Sequence, residues 1–92
     1  MRIDRLDLSR RFEKQIAKLP ARKRARVREA LRLAVADPDD PRLRLHELKG
    51  EFAGTYSISA GGDLRVHFRL IEEDGVSIAN LHAVGTHSQL YG

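Results

Sequence analysis

The stretch Asp63-Leu64-Arg65-Val66-His67-Phe68-Arg69-Leu70 alternates apolar and ionisable side chains without a break. Successive strand side chains point to opposite faces, so Leu64, Val66, Phe68 and Leu70 share one side. Asp63, Arg65, His67 and Arg69 share the other. One face can build a core, while the other carries an acid, an imidazole and two cations. A merely solvated sheet face is the plain alternative, because antiparallel sheets are commonly wet on one side.

The neighbouring segments extend this strand into a meander. Tyr56 and Ile58 share one side of a preceding strand, with Ser57 and Ser59 on the other. A two-residue Gly61-Gly62 turn would place Tyr56 and Ile58 on the charged face. A three-residue loop pairs Ser59 with Asp63 and puts Tyr56 and Ile58 with the core, so burial selects it. On the far side Glu72 to Gly75 forms the turn. An even loop length puts Ala79, Leu81 and Ala83 on the apolar face. It also brings Asn80 and His82 beside Arg65 and His67, so that these groups, Ser59 and Asp63 converge on one polar surface.

The first half reads as helical. A short strand is expected in Arg2 to Asp7, with Ile3 and Leu6 apolar. Ser9 can cap a helix carrying Phe12, Ile16 and Leu19 at spacings of four and three. Pro20 closes that helix and suits the start of the next. From Ala21 to about Ala36, Val27, Ala30, Leu31, Ala34 and Val35 give an apolar stripe, and the two helices are expected as an antiparallel pair. Asp37 to Pro41 breaks the second helix. Arg42 to Gly50 reads as a connector anchored by Leu43, Leu45 and Leu48. Gly85 is expected to end the last strand, with Leu90 and Tyr91 tucking back over the sheet.

Ninety-two residues with 41% hydrophobic content, five aromatic residues and no tryptophan make one small domain spanning 1-92. The absence of cysteine excludes disulfides and thiolate metal sites. No run is long and apolar enough to cross a membrane, and the start lacks the apolar region of a signal peptide, so a cytoplasmic location is expected. The net charge of +4 and pI near 10 point to an acidic or polyanionic partner. Ten of the seventeen basic residues lie between Arg10 and Arg32. On helices they spread over the outer surface, as a solvated exterior or as an electrostatic footprint for nucleic acid phosphate. No aromatic interleaves with them, which argues against base stacking there.

The chemistry concentrates in the second half. His87 and Tyr91 bring an imidazole and a phenol beside a sheet that already offers an acid and an arginine. Phosphodiester cleavage needs a base for the attacking oxygen, an acid for the leaving oxygen and a cation for the charge on phosphorus. His46, His67, His82 and His87 lack the spacing of metal ligands.

Three segments carry a family resemblance: Leu48-Lys49-Gly50, Gly62-Asp63-Leu64-Arg65-Val66, and the ending Gly85-Thr86-His87-Ser88-Gln89-Leu90-Tyr91-Gly92. With the order strand, two helices and a three-strand meander, the chain resembles toxins of the RelE/ParE superfamily, and most of all their YafQ-like branch. The resemblance implies an α+β fold, with an N-terminal strand and helical hairpin packed on a twisted antiparallel sheet in the order β-α-α-β-β-β. It also implies a ribosome-dependent endoribonuclease that cuts mRNA in the ribosomal A site without metal or other cofactor. Such a toxin is held inactive by a cognate antitoxin protein.

The resemblance further implies a role for each matching residue. His46 is a proton-transfer residue, Asp63 a base or the group that orients one, and Arg65 the cation for the phosphorane. His87 protonates the leaving oxygen and Tyr91 contacts the substrate. The branch carries a further histidine where this chain has Ser59, so His67 or His82 on the same face would compensate, or the activity is weaker, or the catalytic set is smaller. Within the same superfamily a ParE-like inhibitor of DNA gyrase, or an inactive member that binds RNA or antitoxin, is the alternative.

Overall fold

The Asp63–Leu70 alternation becomes the middle strand of a five-stranded sheet. The computed structural model describes residues 1–91. In chain order it has β1 (Arg5–Leu8), α1 (Arg10–Ala17), α2 (Ala21–Ala36), β2 (His46–Glu47), β3 (Tyr56–Ser59), β4 (Leu64–Glu73), β5 (Val76–Thr86) and α3 (His87–Tyr91). The strands lie in the order β1-β5-β4-β3-β2. The sheet is mixed and not wholly antiparallel, because β1 runs parallel to β5, from which the two helices and three other strands separate it in the chain. The first strand starts at Arg5, later than expected, although Ile3 is already buried. At the two ends of the expected connector, and reaching beyond it, Pro41–Leu43 and Gly50–Phe52 form single helical turns around the two-residue β2.

Local chemistry explains the boundaries. Phe12 N–H donates to Ser9 Oγ (3.1 Å), so Ser9 caps α1. Pro20 caps α2, where its missing N–H costs no hydrogen bond. Asp74 and Gly75 both have positive φ, 49° and 78°, and join Glu73 to Val76 as a two-residue hairpin turn.

Leu64, Val66 and Phe68 are sealed beneath the helices with Phe12, Val27, Ala30 and Ala34. Ile58 pairs with Val66 on this face, and Tyr56 stacks on Phe68 at 5.6 Å between ring centroids. Ser59 faces Arg65, two residues beyond the expected Asp63. A shift of two residues keeps every side chain on its expected face. Val35 departs from the expected stripe and is exposed.

The larger departure is a β-bulge. His67 faces Ala83 while Phe68 faces Leu81, leaving His82 as the extra residue of β5. The alternation of β5 therefore inverts at His82. Val84 enters the core opposite Val66, and Ala83 moves to the open face, contrary to the simple count. Past Leu81, β5 has no strand on its outer side, and α1 takes that place. Val84 N–H donates to Gln15 Oε1 at 2.8 Å.

No helix among the described residues is long and apolar enough to cross a membrane. Replacing Gln15 by Ala strands the Val84 amide and should destabilise the fold by about 1–3 kcal/mol in denaturant unfolding. The neighbouring exposed Lys14→Ala should stay within about 0.5 kcal/mol of the parent. Equal effects from the two variants would contradict the edge-capping role.

Candidate active site

On the open face, cross-strand pairing builds two rows. His46, Ser57, His67 and Ala83 form one, and Ser59, Arg65 and Gly85 form the next. The C-terminal helix lies against the small end of these rows. Gly85 does not end β5, which runs on to Thr86. Its lack of a side chain admits α3 instead: a Cβ there would stand 2.9 Å from Gln89 Oε1. The Gln89 carboxamide accepts from Thr86 N–H at 2.8 Å and fixes the first turn of α3. His87 N–H donates to the Asp63 carbonyl (3.2 Å), tying α3 to the β3–β4 loop.

Three rings contact Tyr91, which stays partly exposed. Phe52 meets it edge-on at 5.2 Å, His87 lies 4.5 Å away and His67 5.3 Å away between centroids. Tyr91 Oη lies 3.1 Å from His67 Nε2. Burial raises the Tyr91 phenol above its ordinary value, against a smaller opposing effect of Arg65, so it stays protonated. His67 is only 3% exposed. Burial first, then the positive potential of His82, Arg11, His46 and His87, lowers its pKa from 6.5 to about 4. The ring is therefore neutral near pH 7. His82 is lowered as well, by burial and then by Arg69 and Arg11.

Arg65 is held by one nitrogen. Its Nη1 donates to Ser59 Oγ (3.2 Å), the Gly62 carbonyl (2.8 Å) and the Leu64 carbonyl (3.0 Å). Among the described residues Nε and Nη2 have no protein acceptor, which leaves an edge of the guanidinium open to an anion. His46 is exposed, with Nδ1 2.8 Å from the Arg44 carbonyl. A carbonyl can only accept, so Nδ1 carries the proton and Nε2 of the neutral ring offers a lone pair. Arg44 sets that carbonyl from a left-handed conformation, φ 49°, that non-glycine residues rarely adopt. Beyond Ser59 an open depression of about 320 Å³ continues between α2 and the β3–β4 loop, with Arg26 and Arg42 on its wall.

No family model matches the sequence, and no curated protein does. Solved structures do. YafQ from Escherichia coli superposes over the full length of both chains with a TM-score of 0.76 at 18% identity. The toxin-antitoxin complex RelBE2 of Mycobacterium tuberculosis matches 92% of this chain and 99% of its own, with a TM-score of 0.74 and 23% identity. The E. coli DinJ-YafQ complex matches 98% of this chain and 100% of its own, with a TM-score of 0.69 and 20% identity. This is the RelE/YafQ-type toxin fold.

On the YafQ-like frame, the residues singled out from sequence separate into two groups. His67 and His87 each contact Tyr91, Arg65 is hydrogen-bonded to Ser59, and Asp63 is tied to His87 through its backbone. The Asp63 carboxylate is exposed, with no ion pair to Arg65 among the described residues. His46 stands in the His67 row two strands away, about 10 Å between backbones. Asn80 pairs with Arg69, further along the sheet from Arg65 and His67 than the simple count placed it. His82 occupies the bulge and does not pair with His67. Phe52, Ser57 and Arg44 escaped the sequence reading, because nothing local marks a lone aromatic, a serine or an accepting backbone carbonyl as part of a site.

The depressed His67 pKa has a consequence for stability. Between pH 6.5 and about 4 the unfolded chain takes up a proton that the folded chain refuses. Stability from this group is complete above that window and is lost as pH falls through it. Thermal midpoints recorded against pH should therefore fall more steeply for the parent than for His67→Gln across the window. Parallel curves would contradict the assignment.

Proposed function

We propose that this chain is the toxin of a type II toxin-antitoxin pair and acts as a ribosome-dependent endoribonuclease on mRNA in the A site. The observation that carries the reading is the docking of α3, which sets His87 and Tyr91 on the same open face as Arg65. The resemblance of Gly85-Thr86-His87 and Tyr91 to the YafQ-like ending supports it. So does the fold shared with toxins solved together with their antitoxins.

Each step has a group suited to it. His46 Nε2 takes the proton of the ribose 2′-hydroxyl as its oxygen attacks the adjacent phosphorus. Asp63, exposed at the mouth of β4, orients that base or the ribose. The open edge of Arg65 meets the extra negative charge of the phosphorane. His87, as imidazolium, gives its proton to the departing 5′-oxygen, and Tyr91 packs on the nucleotide beside the cut. The products are a 2′,3′-cyclic phosphate and a 5′-hydroxyl. In this scheme Ser59 is a support for Arg65 and needs no imidazole of its own.

The partners follow from charge. Arg10, Arg11, Lys14, Arg22, Lys23, Arg26 and Arg28 form no ion pair among the described residues. They suit ribosomal RNA phosphate during catalysis and an acidic antitoxin segment at rest.

The experiment is cleavage of mRNA on translating ribosomes, with DNA gyrase supercoiling measured in parallel. The parent should cut within the A-site codon. His87→Ala and Arg65→Ala should each lower the cleavage rate by about a hundredfold or more, on the scale of losing a proton donor or a charge-stabilising group. Blocked supercoiling without cleavage would move the chain to the gyrase-inhibitor class.

A further inference from the structure

His67 is the buried imidazole of the four, and the scheme above gives it no proton to move. Its place on the open face is sealed by α3, so substrate does not reach it. An apolar side chain would fill the same space without desolvating two ring nitrogens. What a histidine adds there is the contact between Nε2 and Tyr91 Oη. Tyr91 in turn contacts His87. The two are four residues apart on α3, their centroids 4.5 Å apart and their planes inclined by 43°. Phe52 meets the Tyr91 ring at 84° and can close the space around it, but an edge-on aromatic contact leaves the ring free to slide. The hydroxyl bond to β4 removes that freedom. Ala83, opposite His67, provides the room for the arrangement.

We propose that His67 is a positioning residue: through its hydrogen bond to Tyr91 it holds the His87 imidazole in its reactive orientation. The kinetic half of the proposal rests on the endoribonuclease reading. The structural half, that the state of His87 depends on His67 by way of Tyr91, does not.

Four variants separate this role from packing: His67→Phe, His67→Gln, Tyr91→Phe, and the double variant His67→Phe with Tyr91→Phe. Phe keeps the volume and loses the hydrogen bond, whereas Gln keeps a bonding group near the place of Nε2. Single-turnover cleavage by His67→Phe should be about tenfold or more slower, with the half-saturating ribosome concentration changed less than about twofold. Tyr91→Phe should lose as much, and the double variant no more than either. His67→Gln should stay within about threefold of the parent. In parallel, the NMR titration midpoint of the His87 ring should move alike in His67→Phe and Tyr91→Phe and stay in place in His67→Gln.

Additive losses in the double variant, His67→Gln as impaired as His67→Phe, or an unmoved His87 midpoint would each overturn the proposal. Should the parent cut no RNA, the nuclease reading and the kinetic half fall together. The His87 titration then still decides whether His67 acts through Tyr91.

Discussion

The extra residue in β5 is the constraint on which the site depends. Without it, the pairing of Phe68 with Leu81 would continue as His67 with His82, two imidazoles side by side. The bulge at His82 replaces that neighbour with Ala83 and puts Gly85 opposite Arg65. It also returns Val84 to the core opposite Val66, so the inner face stays apolar along β5. A strip of small side chains on the open face results, and α3 lies on it. Bulges re-aim side chains near functional sites because one inserted residue inverts the alternation beyond it. Here the same inversion serves packing on one face and leaves room for a helix on the other.

The ionisable groups divide by exposure. His67 is buried and neutral, whereas His46 and His87 are exposed. Arg65 spends one nitrogen on Ser59 and on two carbonyls and keeps its other edge open. Ser59 supports the cation beside it. Exposed imidazoles stand at the two borders of the face, His46 on β2 and His87 on α3, and the proposed scheme assigns proton transfer to them.

Much of the scaffold was legible in the sequence because it is local. The alternation from Leu64 to Leu70, the Ser9 cap and the helix from Ala21 to Ala36 each follow from a few adjacent residues, as does a turn within Glu72–Gly75, which the structure narrows to Asp74-Gly75. The remainder depends on contacts between distant segments. Nothing near Arg5 says that its strand will lie parallel to β5. His82 looks like any alternating residue until both flanking pairs are known. Gly85 read as a breaker, yet β5 runs through it and Gln89 packs close against it. For the candidate site, the sequence pointed to His87, Tyr91, Arg65 and His46, of which the structure joins His87 to Tyr91 and leaves His46 two strands from His67; the burial of His67 depends on α3, a helix that the strand pattern does not reveal.

The most direct measurement of the central claim is the chemistry of the ends left by cleavage on the ribosome. Attack by the 2′-hydroxyl with proton transfer by side chains predicts a 2′,3′-cyclic phosphate upstream, a 5′-hydroxyl downstream, and no cut where the scissile nucleotide carries a 2′-deoxy sugar. A 3′-hydroxyl with a 5′-phosphate, or undiminished cleavage of the deoxy substrate, would contradict the account.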